Sequence, residues 1–141
     1  MIIPDANLIL YAYDEESPWN SDALAWWESL LSGDEEVGLC SVVVFAFVRI
    51  ATHAKVFDKP LRIGETVEIV RSWLDAVPVR LIESSAEDCL CALQLLEQAG
   101  VGGNLTTDAQ IAALALRLKA TIHTADTDFD RFGVRWKNPL V

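Results

Sequence analysis

The chain has little cysteine. It contains three among its 141 residues, Cys40, Cys89 and Cys91. An odd count without the spacing of metal-ligand pairs argues against a disulfide framework and against a zinc-finger type of site. We therefore interpret all three as buried, reduced thiols.

Long hydrophobic segments are also lacking. The longest apolar run, Leu39 to Val48, includes Ser41 and ends at Arg49, so it is shorter than the roughly 20 residues that span a bilayer. No basic region precedes an apolar stretch at the N-terminus, and Asp5 lies where a signal peptide would carry cations. We expect a cytoplasmic protein that does not bind to a membrane.

Positive charge is scarce. The chain has 11 basic and 21 acidic residues, which gives a formal net charge of −10. This balance argues against a protein that binds nucleic acid chiefly through an overall positive field. It is compatible with a metal-dependent nuclease, whose bound ions screen the acids and whose basic residues act locally. It also suits a surface that binds a basic protein partner.

Apolar residues, by contrast, are abundant, at 52% of the chain. This is enough for one hydrophobic core, and we expect a single domain over residues 1–141. The predicted strands are Met1 to Pro4, Val37 to Cys40, Val79 to Ile82, Thr121 to Thr124 and Val134 to Trp136. Strands alternate with helical patterns and no repeat or linker interrupts them. The alternation predicts a three-layer α/β/α fold with a mainly parallel central sheet.

Helical patterns lie between these strands. The predicted helices are Ala6 to Tyr13, a second with Ala23, Trp26, Trp27, Leu30 and Leu31, a third beginning at Ser41, a fourth with Ile63, Val67, Val70 and Leu74, a fifth with Leu90, Leu93 and Leu96 that ends at Gly100, and a sixth from Asp108. The predicted caps are Asn20 or Ser21, Ser41, a capping box in Ser84 to Glu87, and Thr106 or Thr107. The small residues Ala109, Ala112, Ala113 and Ala115 predict that the sixth helix lies close to the sheet.

Acidic residues stand at the ends of these elements. Asp5 directly follows the first strand, Asp126 and Asp128 follow the strand Thr121 to Thr124, and Asp108 opens the sixth helix. Parallel strands bring their carboxyl ends to one edge of a sheet, which is where open α/β sheets bind ligands. We therefore expect these acids to converge.

Such a cluster is informative because two carboxylates about 5 Å apart repel by roughly 3 kcal/mol at an effective dielectric constant of about 20. A magnesium ion would remove this repulsion and would make the site a candidate for cleaving phosphodiesters. The alternative is that Asp108 only complements the helix dipole and that Asp126 and Asp128 are only turn residues.

A local basic segment lies between the third and fourth helices. His53 to Arg62 gathers Lys55, Lys59 and Arg62 against the single acid Asp58. In so acidic a chain this segment is the best local candidate for contacting a phosphate backbone. An ordinary solvated loop is the alternative interpretation.

Three ring side chains are interpreted as core residues. Trp26 and Trp27 lie at helical spacing with other apolar residues, which favours packing over base stacking. His123 falls within a predicted buried strand, which favours packing over a role as general base.

Five motifs follow one another along nearly the whole chain. They are Pro4 to Asn7, Phe47 to Thr52, Gly103 to Ala109, Thr124 to Phe129 and Arg135 to Pro139. In order and spacing they resemble the PIN domain, and more narrowly the VapC toxins of bacterial type II toxin–antitoxin modules, including a branch abundant in mycobacteria.

The resemblance implies an endoribonuclease dependent on Mg²⁺ or Mn²⁺, which cleaves RNA with metal-activated water. It also implies a toxin that forms a homodimer and is restrained by a cognate antitoxin. By this resemblance Asp5 is the first metal ligand, Asp108 the later principal ligand and Asp126 the last acid of the site. Asp128 matches a nearby position that is often acidic, and Thr124 matches the hydroxyl residue beside the last acid.

One position departs from that pattern. Many PIN domains carry a glutamate in the helix after the second strand, and its equivalent here is Phe47. With one carboxylate fewer, a one-metal mechanism or a weakly occupied second site is favoured. Arg49, close to Phe47 on the helix, is a candidate for contacting substrate phosphate, with a structural ion pair as the equal alternative.

Two other functions are compatible with the sequence. The first is a PIN domain with weakened catalysis that acts by binding RNA or protein, as the loss of an acid at Phe47 suggests. The second is an aspartate phosphoacceptor or phosphatase that uses Asp5 and Asn7. The second is disfavoured because no lysine follows a late strand where a phosphoaspartate would need one.

Overall fold

A computed structural model describes residues 1–141 and centres on a parallel sheet. The sheet has five strands in the order β3-β2-β1-β4-β5, and every neighbouring pair is parallel. The strands are β1 Ile2–Pro4, β2 Val37–Cys40, β3 Val79–Ile82, β4 Thr121–His123 and β5 Trp136–Lys137. The predicted α/β/α fold with a parallel sheet is confirmed.

Helices connect and cover the strands. They are α1 Ala6–Tyr13, α2 Asn20–Leu31, α3 Ser41–Ala51, α4 Ile63–Leu74, α5 Ala86–Ala99 and α6 Leu105–Leu118, followed by a 3₁₀ helix at Thr127–Phe132. Helix α1 packs on α2 and α3, whereas α5 packs on α6 and the 3₁₀ helix. Parallel strands are joined almost always by right-handed crossovers, and with this strand order the rule places the two groups on opposite faces of the sheet. No helix has both the length and the apolar character needed to cross a bilayer.

Small and aromatic residues fill the two sides of the core differently. All four predicted alanines of α6 are buried, so this helix lies close to the sheet as predicted. On the other face Phe47 and Trp73 are fully buried with ring centroids 4.8 Å apart, and Tyr13 lies 5.5 Å from Phe47. Trp73 Nε1 donates a hydrogen bond of 2.9 Å to the Tyr13 hydroxyl. This aromatic cluster fixes α1, α3 and α4 together.

The start of α6 differs from the prediction. The helix begins at Leu105, so Thr106 and Thr107 are helical residues and the prediction that they cap it is wrong. The N–H groups of Leu105 and Thr106 donate to the carbonyls of Gly102 and Gly103, both at 3.1 Å. Backbone turns of the glycine segment, not a hydroxyl side chain, therefore start the helix.

Two other predicted caps are also wrong. Asn20 is the first residue of α2, and its amide donates to the carbonyls of Tyr11 and Ala12 at 3.0 and 3.2 Å instead of capping the helix. Ser41 is the first residue of α3, which has no side-chain cap.

The capping box of α5 lies one residue later than predicted. Ser85 and Asp88 form it, not Ser84 and Glu87. Gly100 ends the helix in the left-handed region, with φ of 71°, as expected for a glycine after a helix.

Two strand ends and two cysteines also differ. Strand β4 stops at His123, and β5 starts two residues later than predicted, at Trp136. Cys40 is buried as expected, but Cys89 is exposed and Cys91 is half-buried, so the prediction of three buried thiols is wrong.

Asp88 joins the two helices that cover one face of the sheet. Its carboxylate accepts hydrogen bonds from the Ser85 N–H at 2.8 Å and from Arg117 Nε at 2.8 and 3.0 Å. Burial opposes the ionisation of Asp88, but the bonds from Arg117 and Ser85 outweigh it and lower the pKa. The pair thus ties the start of α5 to the last turns of α6.

We expect Asp88→Ala to lower the free energy of unfolding by about 2–4 kcal/mol, because it removes the side-chain half of the capping box and leaves Arg117 without its partner. Urea denaturation measures the change. Glu87→Ala, an exposed acid in the same first turn, is the matched control and should lose less than about 1 kcal/mol. Equal losses in the two variants would contradict this role of Asp88.

Candidate metal centre

The acidic residues meet at the carboxyl edge of the sheet. Strands β1 and β4 are neighbours in parallel register, with Pro4 opposite His123. Asp5 follows Pro4 directly, and Thr124 and Asp126 follow His123. The backbone N–H of Asp5 donates to the His123 carbonyl at 2.9 Å, which holds the two strand ends side by side.

Three carboxylates form the centre of this site. Oxygen atoms of Asp108, Asp126 and Asp128 all lie within 4.8 Å of one another, and the three side chains are half-buried. Asp108 comes from the first turn of α6, whereas Asp126 and Asp128 come from the segment after β4. A donor set made only of carboxylate oxygens suits a hard divalent cation such as Mg²⁺, Mn²⁺ or Ca²⁺.

Asp5 borders this group and is more deeply placed. It is only 7% exposed. One oxygen accepts a hydrogen bond from the Ala6 N–H at 2.7 Å and the other from the Thr124 hydroxyl at 2.8 Å. Its charge raises the pKa of Asp108, and the charge of Asp126 raises the pKa of Asp5. Asp5 therefore adds negative charge behind the three more accessible carboxylates.

Thr124 links the acids into one hydrogen-bonded unit. Besides donating to Asp5, its hydroxyl oxygen accepts from the Asp126 N–H at 3.0 Å. Asp126 in turn accepts from the Asp128 N–H at 2.8 Å. Asn7 supports the unit, because its amide donates to the Thr124 hydroxyl and accepts from the Ala125 N–H, both at 3.4 Å. The sequence gives a signal for Asn7, since it is the one polar side chain in the first turn of an apolar helix.

The electrostatics of the site disfavour full ionisation. Burial, the charges of Asp5 and Asp126, a hydrogen bond with Asp126 and the charge of Asp128 together raise the pKa of Asp108 to about 7. Burial also raises the pKa of Asp5, although its bonds from Thr124 and Ala6 act in the opposite direction. A divalent cation would reverse this balance because it favours the ionised carboxylates.

Thr124→Val is expected to lower the free energy of unfolding by about 1–3 kcal/mol, because a buried oxygen of Asp5 loses its donor. It should also raise the pKa of Asp5, since the Thr124 bond lowers that pKa. Thr124→Ser keeps the hydroxyl and should stay close to the parent. Thermal unfolding and carboxyl-carbon NMR titration measure the two effects, and a valine variant that matches the serine variant in both would contradict this role of Thr124.

The two residues predicted to contact phosphate, Arg49 and Lys55, take no part in the hydrogen bonds that link the site acids. Arg49 and Lys55 are both exposed and neither forms an ion pair. Arg49 lies in the last turn of α3 and Lys55 in the turn that follows it. The cation that does contact a site acid is Arg131, which the sequence analysis missed. Its Nε lies 3.8 Å from Asp128 Oδ1, and the i, i+3 spacing of the two residues is the signal that could have indicated it.

His123 and Trp27 are buried in the core, as predicted, whereas Trp26 is half-buried against the core. His123 is 5% exposed and its Nδ1 accepts a hydrogen bond of 3.0 Å from Trp26 Nε1. Burial and the nearby charge of Lys137 lower the pKa of His123 to about 4. Trp27 is fully buried. Phe47 likewise lies in the aromatic core, so the position that carries an acid in many PIN domains adds no carboxylate here.

The fold and the acidic edge define the class. The family model described as PIN domain matches residues 2–134, and the chain belongs to the PIN domain family. It is 41% identical over 141 residues to Ribonuclease VapC33 of Mycobacterium tuberculosis (strain ATCC 25618 / H37Rv), with 99% of each chain covered.

Two solved structures have a similar fold. One is the M. tuberculosis toxin VapC20, described as cleaving the sarcin–ricin loop, with a TM-score of 0.74, 16% identity and coverage of 95% of this chain and 96% of that one. The other is VapBC2 from Rickettsia felis bound to a DNA fragment from its promoter, with a TM-score of 0.66, 21% identity and coverage of 98% of each chain. At these identities the likeness concerns the fold alone.

Proposed function

We propose that this protein is an endoribonuclease dependent on Mg²⁺ or Mn²⁺ that acts as the toxin of a toxin–antitoxin pair. The observation that carries the proposal is the convergence of Asp108, Asp126 and Asp128, within 4.8 Å of one another, beside the buried Asp5. The similarity to Ribonuclease VapC33 across almost the whole chain supports RNA as the substrate.

Asp5, Asp108 and Asp126 are the proposed ligands of the cation. They come from three separate elements, so the folded sheet edge is needed to assemble them. When bound, the ion would supply water activation at neutral pH and neutralise charge on the phosphoryl oxygens. Asp128, half-buried and held by its backbone bond to Asp126, orients a water molecule at the open side of the cluster. Thr124, which is fully buried, holds Asp5 and Asp126 in place through its hydroxyl group.

Substrate binding is assigned to local cations because the whole chain is acidic. Arg49 and Lys55 are exposed and free of ion pairs, so both are available to phosphate groups. Each such contact adds affinity that falls as salt increases. We assign these two residues to RNA binding within the same proposal.

The proposed partners are a cognate antitoxin and a second copy of the chain in a cytoplasmic homodimer. The solved VapBC2 assembly supports the first partner by analogy. A net charge of −10 suits a small partner with a basic half. A neighbouring reading frame that encodes such a protein is expected.

A second candidate function is RNA or protein binding with weakened catalysis. The observation in its favour is Phe47, which is fully buried against Tyr13 and Trp73 and supplies no carboxylate.

The test is induced expression in a bacterial host. We expect growth arrest with the parent, relief by the neighbouring antitoxin gene and no arrest with Asp5→Asn. Circular dichroism and thermal unfolding of the purified variant check that its fold is intact. Arrest that persists in a folded Asp5→Asn protein would exclude the acidic edge as its cause, and would favour the binding function.

A further inference from the structure

Arg131 is held firmly at the side of the acidic cluster. It lies in the 3₁₀ helix between two buried rings, Phe129 at 0% and Phe132 at 4% exposure, whose centroids are 6.2 Å apart. These rings anchor the backbone on both sides of Arg131. The arginine side chain itself is 51% exposed. A fixed backbone with an exposed guanidinium is a suitable arrangement for contacting a ligand.

The ion pair of Arg131 leaves its hydrogen-bond donors available. The distance of 3.8 Å from Nε to Asp128 Oδ1 is too long for a hydrogen bond, and both side chains are about half exposed. Such a pair contributes little to stability. Asp130, which precedes Arg131 directly in the sequence, accepts a hydrogen bond of 2.8 Å from Trp136 Nε1. The N–H groups of the guanidinium therefore have no protein acceptor and can bind an anion.

An open cleft adjoins Arg131 on the side of α6. It has a volume of about 340 Å³ and is lined by Asp128, Arg131 and the segment from Val101 to Leu105. Apart from their chain neighbours, no residue has an atom within 4 Å of the point where a Cβ would stand at Gly102 or Gly103. The cleft thus provides room beside the cluster for a sugar–phosphate backbone.

Other basic residues are paired away from the site acids. The pairs are Lys59 with Glu16, Arg71 with Glu68, Arg80 with Glu36 and Arg117 with Asp88. Among the ion-paired cations only Arg131 has a cluster carboxylate as its partner. Its charge is therefore the best placed to offset the repulsion between four aspartates and an incoming phosphate.

We propose that Arg131 binds a backbone phosphate of single-stranded RNA in the cleft between the Val101 to Leu105 segment and the 3₁₀ helix, next to the phosphate that lies at the acidic cluster. This inference rests on the proposed ribonuclease function and adds a substrate-binding residue to it. Arg131 acts on the strand beside the reacting group, so it sets affinity and position and takes no part in proton transfer. A planar guanidinium suits a phosphate better than an ammonium group does.

The test is RNA binding measured by fluorescence anisotropy with a short, labelled, single-stranded RNA pool of random sequence. All proteins carry Asp108→Asn to prevent cleavage, and Arg131→Gln, Arg131→Lys or Arg71→Gln is added. Arg71 is the matched control because it also forms an exposed i, i+3 ion pair, with Glu68. We expect Arg131→Gln to weaken binding about 5-fold or more and to reduce the salt slope by about 0.7, as for one lost phosphate contact. The RNA affinity of Arg131→Lys should lie between those of Arg131→Gln and the Asp108→Asn protein. The affinity of Arg71→Gln should stay within about 2-fold of that of the Asp108→Asn protein.

A second measurement separates RNA binding from a merely structural role. Calorimetric titration of Arg131→Gln with Mn²⁺ should give an affinity equal to or higher than that of the parent, because a cation beside the carboxylates has been removed. Steady-state cleavage should show a raised KM with a smaller change in kcat. Weaker Mn²⁺ binding in Arg131→Gln would overturn the proposal, because Arg131 would then act by positioning Asp128.

Failure of the inference is distinguishable from failure of the proposed function. If the parent cleaves RNA and Arg131→Gln matches Arg71→Gln in affinity and salt slope, the inference alone is wrong. If the parent neither cleaves nor binds RNA, both are wrong.

Discussion

Asp108→Asn is expected to lower the rate of RNA cleavage by at least about 100-fold, because loss of a cation ligand exceeds the effect usually seen for outer-shell partners. The substitution keeps the size of the side chain and the start of α6, so the fold should persist. A fluorogenic RNA cleavage assay in excess Mg²⁺, with circular dichroism as a check on the fold, measures the effect.

The matched control for this experiment is Asp130→Asn. Asp130 lies two residues after Asp128, in the same 3₁₀ helix, but its carboxylate accepts from Trp136 Nε1 and lies outside the cluster. It should retain cleavage within about 3-fold, as a surface substitution. Equal rates in the parent and the Asp108→Asn protein would remove the metal-ligand assignment.

The second large effect is on stability: Asp108→Asn should lower activity but raise the free energy of unfolding. Without a divalent cation, Asp108→Asn should be more stable than the parent above pH 7. A carboxyl group whose folded pKa is raised binds more protons in the folded state, so its contribution becomes unfavourable as pH rises from the unfolded value of 3.8 to about 7. That shift corresponds to at most about 4 kcal/mol, which solvent screening reduces to about 2 kcal/mol.

Urea denaturation of both proteins between pH 4 and pH 8.5 in a chelator measures this difference. His123 also makes stability depend on pH: its pKa of about 4 means that stability is lost as pH falls below 6.5. Both proteins contain His123, so the difference in stability between them isolates the contribution of Asp108. At pH 7.5, Mn²⁺ at 100 times its Kd should stabilise the parent by about 2.7 kcal/mol and the variant by much less. A stability difference that does not change with pH would contradict the raised pKa of Asp108.

The two expected effects have one physical origin. Carboxylates that repel one another in the empty cluster are the groups that hold a cation when it is present. A site of this kind lowers the stability of the free protein and is retained for its chemistry.

The convergence of the acids was predictable because it follows from sheet topology. Asp5 and Asp126 each come after a short apolar strand, and parallel pairing of β1 with β4 brings those strand ends together. The strands β2 and β3 and the helix α1 have the predicted bounds, because their apolar runs end abruptly at polar or turn residues. Local patterns and global topology agree at these positions.

The helix starts were less predictable because they depend on tertiary hydrogen bonds. The amide of Asn20 reaches the carbonyls that end α1, so it is not available to cap α2. Gly102 and Gly103 accept the first N–H groups of α6, which makes the hydroxyls of Thr106 and Thr107 unnecessary as caps. A capping rule reads only neighbours in sequence and cannot detect such competition.

The side-chain hydrogen bonds in and near the site also could not be predicted from the sequence. The bond from Thr124 to Asp5 joins residues 119 positions apart, and the one from Trp26 to His123 spans 97. Arg131 was missed because it is an isolated basic residue, whereas Lys55, Lys59 and Arg62 cluster in the sequence. Its importance depends on the cleft beside it, which only the folded chain forms.

Calorimetric titration with Mn²⁺ tests the central claim most directly. The folded parent should take up the ion in a saturable reaction that Asp130→Asn keeps and Asp108→Asn loses, since the cluster includes Asp108 and leaves out Asp130. No saturable uptake by the parent, or undiminished uptake by Asp108→Asn, would contradict a divalent-cation site at this edge of the sheet.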